Sequence, residues 1–174
     1  MLSSSSVKII HQDNYGFVWI TTDFGLSKFD GYHFQNYYHV HRDSTTLPEN
    51  NIGSIMTDQN GDLWIGQGKG LVKYDYASDC FVRQHFPNEV TPRVTSLIQD
   101  KTGNLYIGTA GLGMYMMDQG TGKIVRAGEF SDKMNNIFIG HMYIDRRGNL
   151  WKGSHKNLIY LYNIKDGKIL SYRE

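Results

Sequence analysis

Gly61-Asp62-Leu63-Trp64-Ile65-Gly66 decides how the rest of the chain is read, because the sequence writes it four times. The other copies are Gly16-Phe17-Val18-Trp19-Ile20-Thr21, Gly103-Asn104-Leu105-Tyr106-Ile107-Gly108 and Gly148-Asn149-Leu150-Trp151-Lys152-Gly153. An Asp stands three residues before the first Gly of each copy, at Asp13, Asp58, Asp100 and Asp145. An aromatic follows six residues after that Asp, at Trp19, Trp64, Tyr106 and Trp151. Successive Asp positions differ by 45, 42 and 45 residues, the period of a four-stranded propeller blade.

Within each period the pattern is that of short strands and turns. Val7-Lys8-Ile9-Ile10-His11-Gln12 leads into the turn Asp13-Asn14-Tyr15-Gly16, where Gly supplies the positive φ of a tight hairpin. Phe17-Val18-Trp19-Ile20-Thr21 is apolar on both faces, as a strand sandwiched between sheets must be. Gly25-Leu26 leads into Ser27-Lys28-Phe29, and Asp30-Gly31 turns into the alternating outer strand Tyr32 to Tyr37. The later periods repeat this order, with Asn157-Leu158 in place of Gly-Leu in the fourth. Asn is the natural replacement, because it tolerates the left-handed region next best. No stretch has helical periodicity long enough to compete. The expectation is an all-β chain, a β-propeller built of four four-stranded antiparallel blades near residues 7–47, 48–93, 94–136 and 137–174, after a tail at 1–6. Closure of four blades, an open arc, a larger propeller of which this is a part, and two chains forming one ring all fit the repeats.

Composition narrows the function. The 174 residues are 40% hydrophobic and 20% charged, as in ordinary globular domains and unlike disordered chains. A net charge of +1 gives no global field for nucleic acid or a membrane surface. The charge is uneven, however: residues 1–100 hold 7 basic and 11 acidic residues, and residues 101–174 hold 11 and 6. This is ordinary surface drift or a basic face suited to an acidic ligand. Cys80 is the single cysteine, so no intrachain disulfide forms. No apolar run reaches bilayer-spanning length, and residues 1–6 lack the charged and apolar regions of a signal peptide.

The frame Asp-x-x-Gly-x-Leu-Trp-Ile-Gly, followed by Gly-Leu and an aromatic-Asp, resembles the two-component regulator propeller repeat. Residues 60–66 and 102–109 are close to that pattern, Phe29-Asp30-Gly31-Tyr32 is typical of it, and 42–50 resembles its inter-blade loop. Thr21 and Lys152 depart from it. The resemblance implies part of a periplasmic sensor domain of a hybrid two-component histidine kinase, recognising an oligosaccharide without catalysis of its own. The kinase, phosphorelay and membrane-spanning parts would lie in other domains, so the chain reads as a piece of a longer sensor. A module that completes a propeller by pairing with further blades or a second copy is the alternative. A lyase-like propeller enzyme is a third reading, and it requires a His and acidic constellation with a metal.

Candidate functional residues follow from position in the repeat. The repeated Trp and Tyr lie inside the apolar strand, where packing between blades needs them, and the repeated Asp residues are expected to accept N–H bonds in their own turns. The Gly-rich stretches 66–70 and 108–113 lie between strands, without the helix N-terminus that a phosphate loop uses. His39-Val40-His41 lacks a third metal ligand. No catalytic set, cofactor or metal is therefore expected. The ligand face is expected on the loops between second and third strands and between blades: Asp23 and Phe24 beside Thr22, then Gln67, Lys69, Thr109, His155 and Lys156, with His41 and Arg42 from a connector.

Overall fold

The computed structural model describes residues 1–154 and 158–173, in which nearly all regular structure is antiparallel strand. It forms two compact units, Met1–Gln84 and His85–Glu174, each holding two of the repeats. In the first unit, β1 (Val7–Gln12), β2 (Val18–Thr22), β3 (Gly25–Phe29) and β4 (Phe34–Tyr37) pair in chain order. So do β5 (Ile52–Thr57), β6 (Leu63–Gln67), β7 (Gly70–Asp75) and β8 (Cys80–Arg83). In the second unit, β9 (Val94–Gln99), β10 (Leu105–Leu112), β11 (Met114–Met117) and β12 (Ile124–Arg126) form the third sheet. A short helix α1 (Gly128–Lys133) and a strand β13 (Asn135–Phe138) come next. The last sheet is β14 (Met142–Ile144), β15 (Asn149–Ser154), β16 (Leu158–Asn163) and β17 (Ile169–Arg173). Each repeat thus makes one blade of four antiparallel strands, and β13 adds a fifth strand to the third sheet.

The repeated Asp organises each blade through hydrogen bonds to its own turn. Asp13 Oδ1 accepts the N–H of Tyr15 (2.9 Å) and of Phe17 (3.0 Å). Asp58 does the same for Asn60 and Asp62, Asp100 for Thr102 and Asn104, and Asp145 for Arg147 and Asn149. The frame glycines stand at φ +89°, +87°, +93° and +83°, a region that suits Gly. A second role is invisible in spacing alone. The other carboxylate oxygen accepts the indole N–H six residues on: Trp19 to Asp13 (2.7 Å), Trp64 to Asp58 (2.8 Å) and Trp151 to Asp145 (2.9 Å). A buried indole needs an acceptor, and the Asp supplies one from within the same hairpin. In Asp145 the Trp151 bond, with those from Asn149 and Arg147, holds the carboxyl well below its ordinary range.

The core of the first unit lies between its two sheets. Trp19 and Leu26 pack with Leu63, Ile65, Val72 and Tyr74, all buried. The ring of Tyr74 meets Trp19 edge-on at 4.8 Å, and the Tyr76 hydroxyl donates to Asp13 Oδ2 at 2.7 Å. The Lys28 ammonium lies 4.1 Å from the Phe17 ring centroid and 5.3 Å from that of Tyr74, so its charge is held against aromatic faces. The connector between the first two blades is part of this scaffold. Asp43 caps its own turn through Thr45, the Thr45 carbonyl accepts the Phe81 N–H at 2.8 Å, and Leu47 is fully buried.

In the second unit, Tyr106 and Met114 pack with Met134, Ile139 and Leu150. Helix α1 and β13 were not foreseen. The far half of β10 pairs with β13 (Ala110 with Phe138, Leu112 with Asn135), while its near half pairs with β9. The stretch is too short for helical periodicity to show, and Met134 and Ile139 hold it down by burial. Lys152 occupies the place of Ile20, Ile65 and Ile107 and is 1% exposed. Its ammonium lies 5.8 Å from the Tyr160 ring centroid, without a hydrogen-bond partner among the described residues, and burial pushes its pKa down.

Candidate functional site

The loops between second and third strands hold the expected ligand residues, and the first unit brings part of them together. Thr22 is buried, and its hydroxyl accepts the Phe24 N–H at 3.1 Å, which shapes the 22–25 turn. Asp23 and Phe24 project from that turn, with Phe24 63% exposed. Lys8 of β1 bridges two chain segments: its ammonium lies 2.7 Å from the Asp23 carboxylate and donates to Asn51 Oδ1 at 3.1 Å. Hydrogen bonds from Lys8 and Ser6 keep the Asp23 carboxyl below its ordinary range. The equivalent loop of the second blade is tied to the same connector, because Gln67 Nε2 donates to the Glu49 carbonyl (2.6 Å) and the Gly68 N–H donates to the Glu49 carboxylate. Asp23, Phe24 and the exposed Lys69 therefore stand on loops joined through residues 49–51.

Other expected site residues have different surroundings. Gln67 is fully buried, with its Oε1 lacking a hydrogen-bond partner among the described residues. Thr109 is also fully buried. Its hydroxyl donates to the Gly113 carbonyl at 2.6 Å and accepts the Leu112 N–H at 3.2 Å. In this blade α1 and β13 lie against the loop, with the Ser131 hydroxyl accepting the Met114 N–H at 3.2 Å. His41 and Arg42 are exposed on the connector, Arg42 with φ +65°. Their neighbour His39 is fixed by Nδ1 on the Leu47 carbonyl at 2.8 Å. His155 and Lys156, like Asn157, lie outside the described residues. Sequence reasoning missed Lys8, Glu49 and Asn51, which place the exposed side chains. Glu49 and Asn51 lie in or beside the stretch likened to an inter-blade loop, but nothing in the repeat marks what they bind.

A fold of repeated four-stranded antiparallel blades, with polar groups on the loops between strands, is a β-propeller. The comparisons with known proteins agree. Residues 46–68 and 89–111 match the two component regulator propeller family. Over 92 residues it is 32% identical to Histidine kinase P4 of Formosa agariphila, a match covering 48% of this chain and 7% of that protein. In three dimensions it is similar to the extracellular domain assigned to the one component system BT4673 of B. thetaiotaomicron. That likeness has a TM-score of 0.79 at 22% identity and covers 98% of this chain and 23% of the other. It is also similar to virginiamycin B lyase from Staphylococcus aureus, with a TM-score of 0.75 at 13% identity, covering 98% and 56%. At these identities the structural likenesses establish the propeller fold alone. The chain spans a small part of the sensor-type proteins it matches.

Proposed function

We propose that this chain is part of the ligand-sensing propeller of a two-component-type receptor, facing the extracytoplasmic space and recognising an oligosaccharide without catalysis of its own. The observation that carries the reading is the Asp23–Phe24–Lys69 group, held on hydrogen-bonded loops of a propeller with two-component regulator repeats. An exposed aromatic beside fixed polar groups suits a sugar ring, which offers an apolar face and hydroxyls. The similarity to an extracellular domain supports the location. Among the described residues no helix is long and apolar enough to cross a membrane.

The test is a screen of neutral and acidic oligosaccharides by isothermal titration calorimetry on the full chain. The reading expects saturable binding that Phe24→Ala weakens about tenfold, equivalent to about 1.4 kcal/mol. Binding untouched by Phe24→Ala and Lys69→Ala would overturn this site.

A second reading, association with a further blade or a second copy, has its own observation. On the last sheet Tyr143, Trp151, Leu161 and Leu170 stand in one cross-strand row, and Tyr172 stacks on Trp151 at 6.2 Å. Tyr143, Leu170 and Tyr172 are 63%, 52% and 49% exposed, whereas Trp19 in the first blade is fully buried. Light scattering that gives a mass of twice 20.0 kDa would favour this reading.

A further inference from the structure

The basic surplus of residues 101–174 has a focus. A cleft of about 190 Å³ opens between the Asp100 turn of the third blade and the Asp145 turn of the fourth. Lys101, Arg146, Arg147 and Lys165 surround it, with Ile144 and Ile164 as its apolar part. The Lys101 ammonium reaches across to the Arg146 carbonyl at 3.1 Å and so links the two turns. None of the ion pairs among the described residues uses any of these four cations. Asp100 also lines the cleft, but it is buried and one of its oxygens is engaged by the Thr102 and Asn104 N–H groups and the Thr102 hydroxyl.

The repeat supplies its own control. The same place between the first two blades is bounded by residues at matching offsets. Asn14 and Gln59 stand where Lys101 and Arg146 do, Asn60 where Arg147 does, and Ala77 where Lys165 does. All four are neutral. That space is also plugged: Tyr15, the counterpart of Thr102, packs on Tyr76, the counterpart of Ile164, with ring centroids 4.5 Å apart. Between the third and fourth blades both rings are gone, the gap stays open, and cations stand at the four positions that are neutral between the first two blades. Scaffold needs do not explain four simultaneous exchanges of this kind.

We infer that the cleft between the Asp100 and Asp145 turns binds an oxyanion, either free or as a phosphate or sulfate ester on a larger ligand. Its volume suits a single anionic group with water, being below the roughly 300 Å³ at which sites for drug-sized ligands begin. Arg147 supplies a planar fork of donors matched to an oxyanion, and Lys165 a mobile point charge. Because the cations are exposed, binding weakens as salt rises through physiological strength, where the Debye length is about 8 Å. This site is separate from the Asp23–Phe24–Lys69 group, so either can fail without the other.

The experiment is a ¹⁵N NMR titration of the full chain at low salt with inorganic phosphate, glucose 6-phosphate and glucose. Phosphate or its ester should give saturable shifts at the amides of 100–102 and 146–148, with a dissociation constant on the order of 1 mM. Glucose should give none there. Tighter binding of glucose 6-phosphate than of phosphate marks an ester site, and equal binding a site for the free ion. Arg147→Gln and Lys165→Gln should each weaken binding about five- to tenfold. Thr102→Tyr, which returns one of the two plugging rings against Ile164, should weaken it strongly, while Arg83→Gln in the other unit should change nothing. If Thr102→Tyr fails to fold by circular dichroism, the Arg147→Gln/Lys165→Gln double variant decides. The inference is overturned by no saturable shift, by equal shifts with glucose, or by full binding in the double variant.

Discussion

Replacing Asp13 by Ala tests whether the repeated Asp is a structural clamp. In the folded chain its carboxylate accepts four hydrogen bonds: two from backbone N–H groups of its turn, one from Trp19 Nε1 and one from the Tyr76 hydroxyl. The two backbone donors lie in a turn at the surface, where water can take the place of the carboxylate. The other two cannot be relieved so easily, because Trp19 is fully buried and Tyr76 reaches over from the neighbouring sheet. Orphaning the buried indole donor costs about 1–3 kcal/mol, and the half-buried Tyr76 hydroxyl, which water reaches more easily, adds less, so the two together give about 3 kcal/mol. That is a large share of the roughly 5–15 kcal/mol that holds a domain folded. The assay is equilibrium urea unfolding followed by tryptophan fluorescence. Asp13→Ala should move the midpoint of the first unit's transition strongly downward, and Trp19→Phe, which keeps most of the ring volume and removes one donor, should cost less. Asp145→Ala should cost least, since its hairpin is exposed and its indole only half-buried. A loss under about 1 kcal/mol for Asp13→Ala, or an equal loss for Asp145→Ala, would refute the clamp.

Two further perturbations follow from the structure. Lys152→Ile restores the residue of the other three repeats and removes a buried ammonium without a hydrogen-bond partner among the described residues, so it should stabilise the chain by about 1–3 kcal/mol at neutral pH in thermal denaturation. Burial lowers the folded-state pKa of Lys152 below its reference value of 10.5, so the unfolded chain holds the extra proton between the two values and wild-type stability rises with pH over that interval. The Lys152→Ile variant should lack that rise, and an identical pH profile would sink the argument. Gly113→Ala places a Cβ against the Ser131 carbonyl and hydroxyl at φ +75°, and should lose about 2 kcal/mol or more in the same melts. Gly111→Ala, at φ +95° with open space around it, should lose only about 1 kcal/mol. Equal losses would show that the α1 contact is not what constrains Gly113.

Much of this protein was legible from one six-residue phrase. The period of the Asp residues, the turn glycines and the apolar strand carrying each Trp are local features, written wherever a blade must twist a hairpin and bury its inner strands. They determined the strand order, the hairpins and the structural role of Trp19, Trp64 and Tyr106. Tertiary structure decided which loop residues remain available. Gln67 and Thr109 occupy the same kind of loop as Asp23 and Lys69, yet the first two are fully buried and the other two are exposed. Gln67, Thr109 and the equally buried Thr22 stand at one repeat position at the end of the strand, whereas Asp23 and Lys69 stand further out in the turn. Spacing does not show the partners that hold these loops, Glu49 at the second blade's and α1 with β13 at the third's. These are contacts between segments 18 or so residues apart and carry no periodic signature. The cleft between the third and fourth blades is of the same kind. Lys101, Arg146, Arg147 and Lys165 register in the sequence only as a charge imbalance, because a repeat aligns equivalent positions along the chain, while a cleft is made by different positions of adjacent blades.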